Sequence, residues 1–456
     1  MRFRSRYIST RLEQSHQGVL TLWSVIAAFT TYFCMYAFRK PFTVAQYEDL
    51  VFWGLGYKVI LLFAQISGYA LSKLIGIKVI SEMTANRRAA MILSLIAIAH
   101  LALLPYAVAP YWLKPLFLFL NGLPLGMVFG CVFTFLEGRR VTEAMAAGLC
   151  ASFIMASGTV KTVGAVLMQN YGVSEFWMPF ATGGLFWLPL LVGVWMLQQI
   201  PPPGERDISA RAVRSPFNGA ERRQFFRNHA GGLTVLILLM VLLTLFRSVR
   251  DDYAAEIWSG FGIEKPAIFA QSETLVAAVV IALSAIAVFI GANYRAFFTG
   301  MLLTGIGFAT ALGTTLYYWG TTSWTEQATF QFMVLIGISL YVPYVLFHTT
   351  IYERVIAMLR YKSNVGYLLY LGDFAGYLST VILMATVNLV FANNLDFVAL
   401  LFWLALIISP LSIAGTLYVI RYFHLRQSVS QPAPAPAPQL NLETDNRLGT
   451  NTGIVS

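Results

Sequence analysis

TYFCMYAFRKPFTVAQY, residues 31–47, is the stretch that decides the fold, because the cations Arg39 and Lys40 follow an apolar run long enough to cross a bilayer. On a helix, Tyr36, Arg39 and Thr43 share one stripe, which therefore faces something polar. If the helix continues through Arg39, the charge lies at membrane depth, where an arginine costs about 2.5 to 3.5 kcal/mol unless it faces a cavity or a partner. If the helix ends near residue 38, both cations instead flank the interface and reach water.

The composition of the whole chain is that of a membrane protein. Of its 456 residues, 57% are hydrophobic and only 11% are charged, and the mean hydropathy is +0.67, so the charges are too few to cover a water-soluble globule. The net charge of +10 does not indicate a nucleic-acid partner, because the basic residues are spread over short loops between apolar runs. We therefore expect contact with the lipid bilayer and with no nucleic acid.

The cysteines and the N-terminus carry no further signal. Cys34, Cys131 and Cys150 lie inside apolar runs without metal-ligand spacing, so we interpret them as packing residues and predict no metal and no cofactor. Residues 1–18 are basic, and the apolar run 19–38 has the length of a span but no A-x-A cleavage site. This run is expected to be a retained first helix rather than a signal peptide.

Apolar runs of spanning length recur along the chain as two sets of six. They cover residues 19–40, 57–79, 89–108, 112–136, 144–168, 177–198, 232–253, 266–291, 296–318, 328–352, 365–389 and 396–420. A basic segment rich in Pro and Gly, residues 199–231, has the composition of a linker between the two sets. The sequence thus predicts an all-α polytopic membrane protein with twelve transmembrane helices in two six-helix bundles, residues 19–198 and 232–421.

The distribution of basic residues predicts the orientation. The loops on one side carry most of the arginines, whereas the opposite loops keep little beyond Lys58, Lys114 and Lys265. This asymmetry places both termini in the cytoplasm, and we expect a monomer in the cell (inner) membrane. The tail, residues 422–456, contains QPAPAPAPQ and polar residues that cannot form a core, so it is expected to be disordered.

The two halves resemble each other at isolated positions. Phe38-Arg39 recurs as Phe246-Arg247, and Gly158 in the fifth run corresponds to Gly376 in the eleventh. Together, such pairs at near-constant offsets favour duplication. Transporters built from repeats hold their substrate where the repeats meet.

The uninterrupted apolar part of the seventh run, residues 233–245, is too short to span the membrane alone. Its 13 apolar residues make about 20 Å of helix against a hydrocarbon core of roughly 30 Å. Arg227 and His229 precede it at the inner edge, so we expect the helix to extend forward through Arg247 to Asp252 and to carry Arg247 within the membrane. The alternative is a short, tilted helix whose end reaches toward water.

Further polar residues follow helical spacing within the predicted spans. In the second span, Gln65, Tyr69 and Lys73 share one face; the alternative is that Lys73 lies near the cytoplasmic end and meets lipid phosphate. Buried carboxylates can be structural partners of buried cations, His348 can be a hydrogen-bonded core histidine rather than a proton relay, and tyrosines also form aromatic belts. The later spans carry Ser157, Lys161, Glu273, Tyr341, Tyr344, His348, Tyr370, Asp373 and Tyr377.

These residues resemble the organophosphate:phosphate antiporter branch of the major facilitator superfamily, which includes the bacterial glycerol-3-phosphate and hexose-phosphate exchangers. The resemblance rests on YAFRKPF at 36–42, GYALSK at 68–73 and LFRSVRDD at 245–252, with weaker support from Glu273, residues 341–343 and residues 372–378. It implies that Arg39 and Arg247 grip a substrate phosphate from the two halves. It also implies that they are surrounded by the binding and ion-pair partners Lys40, Lys73, Asp252 and Glu273.

The chain also departs from the pattern of that branch. The helix-five histidine of the family has no counterpart near residues 153–157, and the loops SEMTANRR at 81–88 and GANYR at 291–295 differ from the usual forms. The resemblance therefore implies the fold more strongly than it implies a sugar phosphate as the solute.

We predict on this basis a carrier of a small anionic solute (an organophosphate, phosphate or carboxylate) that is held between Arg39 and Arg247 and moved by alternating access. Arginine suits this role because its planar fork binds such anions bidentately. The predicted substrate-binding residues are Arg39, Lys40, Lys73, Arg247, Tyr36, Tyr69 and Tyr341. The predicted ion-pair or coupling residues are Lys161, Asp252, Glu273, His348 and Asp373.

Other classes of function remain open from the sequence. A transporter-like sensor would bind a ligand without moving it and signal through the linker or the tail. A proton-coupled importer of another small solute would use Asp373 or Glu273. An integral membrane enzyme would require a nucleophile, metal-ligand or acid/base cluster, but Asp251, Asp252 and Glu256 lack His or Cys neighbours, so no enzyme is predicted.

Overall fold

A computed structural model describes residues 5–47, 50–81, 83, 87–137, 139, 141–202, 204, 219–288, 290, 292–359, 365–391 and 395–430. In the first half, a two-stranded antiparallel hairpin, β1 (Val51–Phe52) and β2 (Leu55–Gly56), precedes the second span. The helices of this half are α1 (Arg6–Gln14), α2 (Gln17–Tyr36), α3 (Tyr57–Ser81), α4 (Arg88–Val108), α5 (Lys114–Leu125), α6 (Val128–Leu136), α7 (Thr142–Tyr171), α8 (Met178–Leu185) and α9 (Trp187–Gln199).

The second half repeats the helical pattern. A π-helical segment, Phe347–Ile351, interrupts its fourth span. The helices of the second half are α10 (Gly219–Asn228), α11 (Ala230–Asp252), α12 (Ala254–Gly260), α13 (Ala267–Val288), α14 (Asn293–Tyr318), α15 (Glu326–Leu346), α16 (Tyr352–Met358), α17 (Val365–Phe391) and α18 (Phe397–Ser430).

These helices form twelve spans, six in each half. Within the described residues, nine helices are long and apolar enough to cross a membrane, and α8 with α9 makes a tenth that bends by 46°. The apolar parts of α13 and α17, Ala267–Leu283 and Leu371–Val387, supply the remaining two. The predicted all-α polytopic architecture of two six-helix bundles is confirmed.

The two bundles meet through two pairs of long helices. Helix α7 packs along α13, and α3 packs along α17. Gly158 on α7 permits the first contact, because a Cβ at that position would lie 2.3 Å from the carbonyl oxygen of Phe269. Polar residues on the faces where these helices meet are therefore shielded from lipid.

The first spanning helix ends earlier than its apolar run. Regular helix stops at Tyr36, and a turn leads into a short 3₁₀ helix, Pro41–Val44, because Pro41 has no backbone N–H to donate to the carbonyl four residues earlier. Arg39 therefore lies beyond the regular helix. Its side chain nevertheless does not reach water, since it is only 4% exposed.

The last spanning helix is longer than the sequence indicates, and the predicted start of the disordered tail at residue 422 is wrong. Helix α18 runs to Ser430, because its final turns pack against the start of the second half. Arg426 donates to the carbonyl of Asn228, and the Tyr294 hydroxyl lies 2.7 Å from His424 Nδ1. The rest of the predicted tail, residues 431–456, and most of the predicted linker, residues 205–218, lie outside the described residues.

Both ends of the described chain lie on one side of the spans. Ser5 N–H donates to the Gln199 side chain at the end of α9, and the end of α18 meets the start of α11 through Arg426. We call this side the terminal face and the other side the opposite face.

Candidate functional site

The seventh span carries its charges into the interior of the protein, on a helix that extends forward as the short apolar run predicts. Helix α11 continues without a break to Asp252, and Arg247 on it is only 5% exposed. The helix remains regular because nothing in LFRSVRDD breaks it, in contrast to Pro41 after the first span.

Two amide side chains hold the turn that presents Arg39. Asn121 Nδ2 donates to the carbonyl of Phe38 at 2.9 Å, and Gln65 Nε2 donates to the carbonyl of Arg39 at 2.9 Å. Gln65 also donates to Asn121 Oδ1 at 2.9 Å, so the two amides form one network. They satisfy carbonyls that the end of the helix leaves without partners.

Tyrosines surround the Arg39 side chain. Its guanidinium carbon lies 3.8 Å from the centre of the Tyr69 ring and 5.9 and 5.8 Å from those of Tyr36 and Tyr377. Within the described part of the chain, no side chain accepts a hydrogen bond from this guanidinium and no carboxylate pairs with it, and its Nε is buried without a partner. The first bundle thus presents a buried cation whose charge is not balanced.

Arg247 has similar surroundings in the second bundle. Its guanidinium carbon lies 4.5 Å from the Tyr344 ring centre and 5.9 Å from that of Tyr341, and its Nη2 donates weakly to Ser248 at 3.3 Å. The nearest carboxylate, Asp251, is 4.0 Å away, and the Arg247 Nε has no partner among the described residues. Arg39 packs against Tyr377 of the second bundle, and its neighbour Lys40 pairs with Asp251, the carboxylate nearest to Arg247, so the two arginines lie near one another across the interface.

The other cations between the bundles have carboxylate partners. Toward the opposite face, Lys40 bridges Asp251, at 2.5 Å, and Asp252, while Lys161 contacts Asp251 at 2.7 Å. The Ser157 hydroxyl also donates to Asp251, at 2.5 Å. Asp251 is therefore the centre of a cluster that joins α7 and the end of the first span to α11.

A second bridge toward the opposite face joins Lys58 at the start of α3 to Glu256 on α12, at 2.5 Å. Within the second bundle, Arg250 pairs with Glu273 at 2.8 Å and donates to the Met333 carbonyl at 2.9 Å.

The terminal half of the interface has its own ion pair. Lys73 of the first bundle pairs with Asp373 of the second, and His348 Nε2 lies 3.2 Å from the other oxygen of Asp373. All three side chains are buried.

The charges around the interface do not balance. In the surroundings of Arg39 and Arg247 and in the ion pairs described above, seven basic side chains meet five carboxylates, which leaves two positive charges in excess when His348 is neutral. A buried charge without a partner is costly, so this arrangement favours the entry of an anion. The basic residues are Arg39, Lys40, Lys58, Lys73, Lys161, Arg247 and Arg250, and the acidic ones are Asp251, Asp252, Glu256, Glu273 and Asp373.

The structure brings the sequence-predicted site residues together at this interface but separates them into two groups. Arg39 and Arg247, with Tyr36, Tyr69 and Tyr341, form the arginine cage. Lys40 and Lys73, predicted to bind substrate directly, are instead engaged by carboxylates of the other bundle. The remaining predicted residues occur in ion pairs: Lys161, Asp252, Glu273, His348 and Asp373.

Two important residues escaped the sequence reasoning. Asp251 contacts three basic side chains, more than any other carboxylate described at the interface. Its position four residues after Arg247 on a helix would have allowed its pairing with a cation to be predicted. Asn121 gave no signal beyond being a single polar residue in an apolar run.

A cleft of about 450 Å³ opens between the bundles near the opposite face. Its walls come from the segment after the 3₁₀ helix, the last turns of α7 and the start of α13, and include Tyr47, Gln169, Ser259 and Glu264. Ala165, also in the wall, lies one helical turn from Lys161. The cleft thus leads toward the Asp251 cluster.

The twelve helices in two bundles, with buried charges where the bundles meet, define a protein of the major facilitator fold. The chain belongs to DUF5690, a family of unknown function whose profile matches residues 41–426.

Solved structures with similar folds come from transporters. One is a bacterial homologue of the human drug peptide transporters PepT1 and PepT2, with a TM-score of 0.59 and 12% identity over 90% of this chain and 99% of that chain. Another is a D-xylose-proton symporter, with a TM-score of 0.56 and 11% identity over 90% of this chain and 98% of that chain. At these identities the likeness shows the fold alone. No curated protein matches the sequence significantly.

Proposed function

We propose that this chain is a secondary active transporter of a small anionic solute, an organophosphate, phosphate or carboxylate, which binds between Arg39 and Arg247. The observation that supports this most strongly is the contrast between these two arginines and their neighbours. The other five basic side chains around the interface have a carboxylate within 2.8 Å, whereas Arg39 has none and Arg247 reaches one only at 4.0 Å. The two cations without close partners come from different bundles.

The chemistry of the cage favours an anion over a neutral solute. Charge-assisted hydrogen bonds from guanidinium to phosphate or carboxylate contribute about 1.5 to 3 kcal/mol each, and the fork of each arginine can make two. Tyrosine hydroxyls near both arginines can donate to the remaining anion oxygens. The resemblance of YAFRKPF and LFRSVRDD to the organophosphate:phosphate antiporters supports a phosphate-bearing solute within this class.

The position of the site between two sets of bridges supports a mechanism of alternating access. The Asp251 cluster closes the interface toward the opposite face, and Lys73 with Asp373 closes it toward the terminal face. An anion that contacts arginines of both bundles reduces their mutual repulsion and holds the bundles together while either set of bridges opens. By the positive-inside rule, the terminal face is proposed to be cytoplasmic and the membrane to be the cell (inner) membrane.

The first experiment measures binding. Purified protein is heated with inorganic phosphate, glycerol 3-phosphate, methylphosphonate, succinate or xylose, and the unfolding temperature is recorded, because a ligand of the folded state raises it. We expect at least one anion to raise the unfolding temperature of the wild type, and no shift in Arg39→Gln or Arg247→Gln. Lys265→Gln is the matched control, since Lys265 is an exposed cation paired with Glu326 far from the cage. A shift by xylose alone, or equal anion shifts in all variants, would contradict the proposal.

The second experiment measures transport. Uptake of the binding anion into proteoliposomes, with and without the same anion inside, tests for flux and exchange. Flux that is lost in both arginine variants supports a carrier. Binding without any flux would show a sensor instead.

A further inference from the structure

A cluster of three buried ionisable groups lies on the terminal side of the arginine cage. Asp373 on α17 accepts from Lys73 on α3 through one oxygen, and its other oxygen lies 3.2 Å from His348 Nε2. The exposed fraction of each side chain is 6% or less. The cluster therefore joins the bundles at a point that water does not reach freely.

The hydrogen-bonding pattern of His348 fixes one of its protons. Nδ1 lies 2.8 Å from the main-chain carbonyl of Tyr344, and a carbonyl can only accept, so Nδ1 carries hydrogen. In the neutral ring, Nε2 would then point its lone pair at an oxygen of Asp373. A contact of 3.2 Å between two acceptors is unfavourable, and one added proton turns it into a charge-assisted hydrogen bond.

We propose that His348 and Asp373 form a proton-binding site that couples proton uptake to opening of the terminal face. A proton from solvent binds His348 Nε2, and the imidazolium then donates to Asp373. Because the same carboxylate is the counter-ion of Lys73, the imidazolium competes with Lys73 for it. The bridge between α3 and α17 weakens, and the bundles can separate on this side.

The site is connected to the arginine cage through two shared tyrosines. Lys73 Nζ lies 5.3 Å from the ring centres of both Tyr69 and Tyr377, and the same rings pack against Arg39 at 3.8 and 5.8 Å. Movement of Lys73 would therefore change the surroundings of Arg39. This extension rests on the proposed function and names the proton as the coupling ion of the same carrier.

The backbone around His348 supports a moving part rather than a fixed core residue. His348 lies in the π-helical segment Phe347–Ile351, shortly after Pro343, and π-helical turns are frequent at functional sites. The ionisable groups that face His348 and Asp373 from the neighbouring helices are Lys73 on α3, Cys150 on α7, Tyr344 on α15, Tyr352 on α16 and Tyr377 on α17. None of these five is a histidine, and histidine is the side-chain type that normally changes charge between about pH 5 and 8.

The test needs no solute, so it stays independent of whether an anion binds. Spin labels are placed at Arg87→Cys and Arg295→Cys, two exposed positions on different bundles at the terminal face, while the three native cysteines are buried. Double electron–electron resonance in nanodiscs measures the distance between the two labels, and the distance distribution gives the ratio of open to closed populations between pH 8 and pH 5. We expect this ratio to rise about tenfold in the wild type as the pH falls, because protonation of His348 weakens the bridge that holds the terminal face closed.

The variants separate a proton site from a structural one. His348→Gln, which keeps a donor for the Tyr344 carbonyl, should abolish the pH response, and Asp373→Asn and Lys73→Gln should give the open distribution at every pH. His100→Gln is the matched control, because His100 lies in a span of the first bundle, hydrogen bonded to Phe180 and Trp187, and should keep the wild-type response. An unchanged distance at all pH values in the wild type, or a full response in His348→Gln, would overturn the proposal. Absence of any anion-induced thermal shift in the wild type, with the pH response intact, would count against the proposed function alone.

Discussion

Arg247 Nη1 lies 4.0 Å from Asp251 Oδ2, one turn further along the same helix, whereas Lys40 Nζ of the other bundle lies only 2.5 Å from that oxygen. The carboxylate that could neutralise Arg247 is thus drawn away from it by the lysines of the other bundle. Asp251 competes with an incoming anion for the positive charge of the interface, and its removal should have two opposite effects.

Asp251→Asn is expected to lower the stability of the protein but to strengthen anion binding. Lys40 and Lys161 would both lose a buried counter-ion, and breaking such a pair costs about 3 to 5 kcal/mol. The larger positive excess would attract an anion more strongly. Thermal unfolding with and without the best anion of the panel should show a lower starting temperature and a larger ligand-induced shift.

Asp252→Asn is the control for this prediction, because among the described ion pairs Asp252 contacts only Lys40. It should lower the unfolding temperature less than Asp251→Asn does. Equal effects of the two substitutions would show that Asp251 has no special position.

Asn121→Leu tests the support of the Arg39 turn. The substitution would leave the carbonyl of Phe38, at the turn, without the Asn121 donor and would remove the second donor to the carbonyl of Ala99, and a buried polar group without a partner costs about 1 to 3 kcal/mol. We expect destabilisation together with loss of anion binding, since Arg39 would no longer be held toward the tyrosines. Chemical denaturation and the thermal-shift assay measure the two effects.

Ser152→Ala provides the comparison for Asn121→Leu. Ser152 is equally buried but donates only to the Leu149 carbonyl of its own helix, so it should change neither stability nor binding by much. Anion binding that survives in Asn121→Leu would exclude a positioning role for Asn121.

Gly158→Val tests the contact between α7 and α13. A Cβ at this position would lie 2.3 Å from the Phe269 carbonyl oxygen and 2.7 Å from the Glu273 Cβ, so the helices must move apart. We expect the protein to remain open toward the opposite face and uptake to fall at least tenfold. Labelling of a cysteine introduced at Ser259, which lines the cleft, should become faster.

Gly184→Val is the matched control, because a Cβ there meets no atom within 4 Å. Uptake and labelling should stay at the wild-type level in this variant. Similar losses in both variants would point to a general folding defect.

The spans could be predicted from the sequence because the length of each apolar run can be compared with the thickness of the bilayer without knowledge of the rest of the fold. The end of the first helix at Tyr36 could not, since it depends on Pro41 together with the amides of Asn121 and Gln65 that satisfy the released carbonyls. The continuation of the last helix likewise depends on a distant contact, between Arg426 and Asn228.

The polar residues of the site could be found from their helical spacing, but not their partners. Lys73 and Asp373 are 300 positions apart, and Lys40 and Asp251 are 211 apart. Nothing in local sequence distinguishes a cation that has a counter-ion from one that lacks it. This distinction separates Lys40 and Lys73 from Arg39, and only the packing of the two bundles reveals it.

Tyr69 offers a test of the cage itself. Its ring lies 3.8 Å from the Arg39 guanidinium carbon and 5.3 Å from Lys73 Nζ, so it contacts both the anion site and the terminal bridge. Tyr69→Leu would remove a desolvated cation–π contact of about 2 kcal/mol and let Arg39 leave its position, which should weaken anion binding by roughly thirtyfold. Tyr69→Phe keeps the aromatic face and should stay within about threefold of the wild type. Isothermal titration of both variants checks the difference, and equal losses would assign the effect to the hydroxyl rather than to the ring.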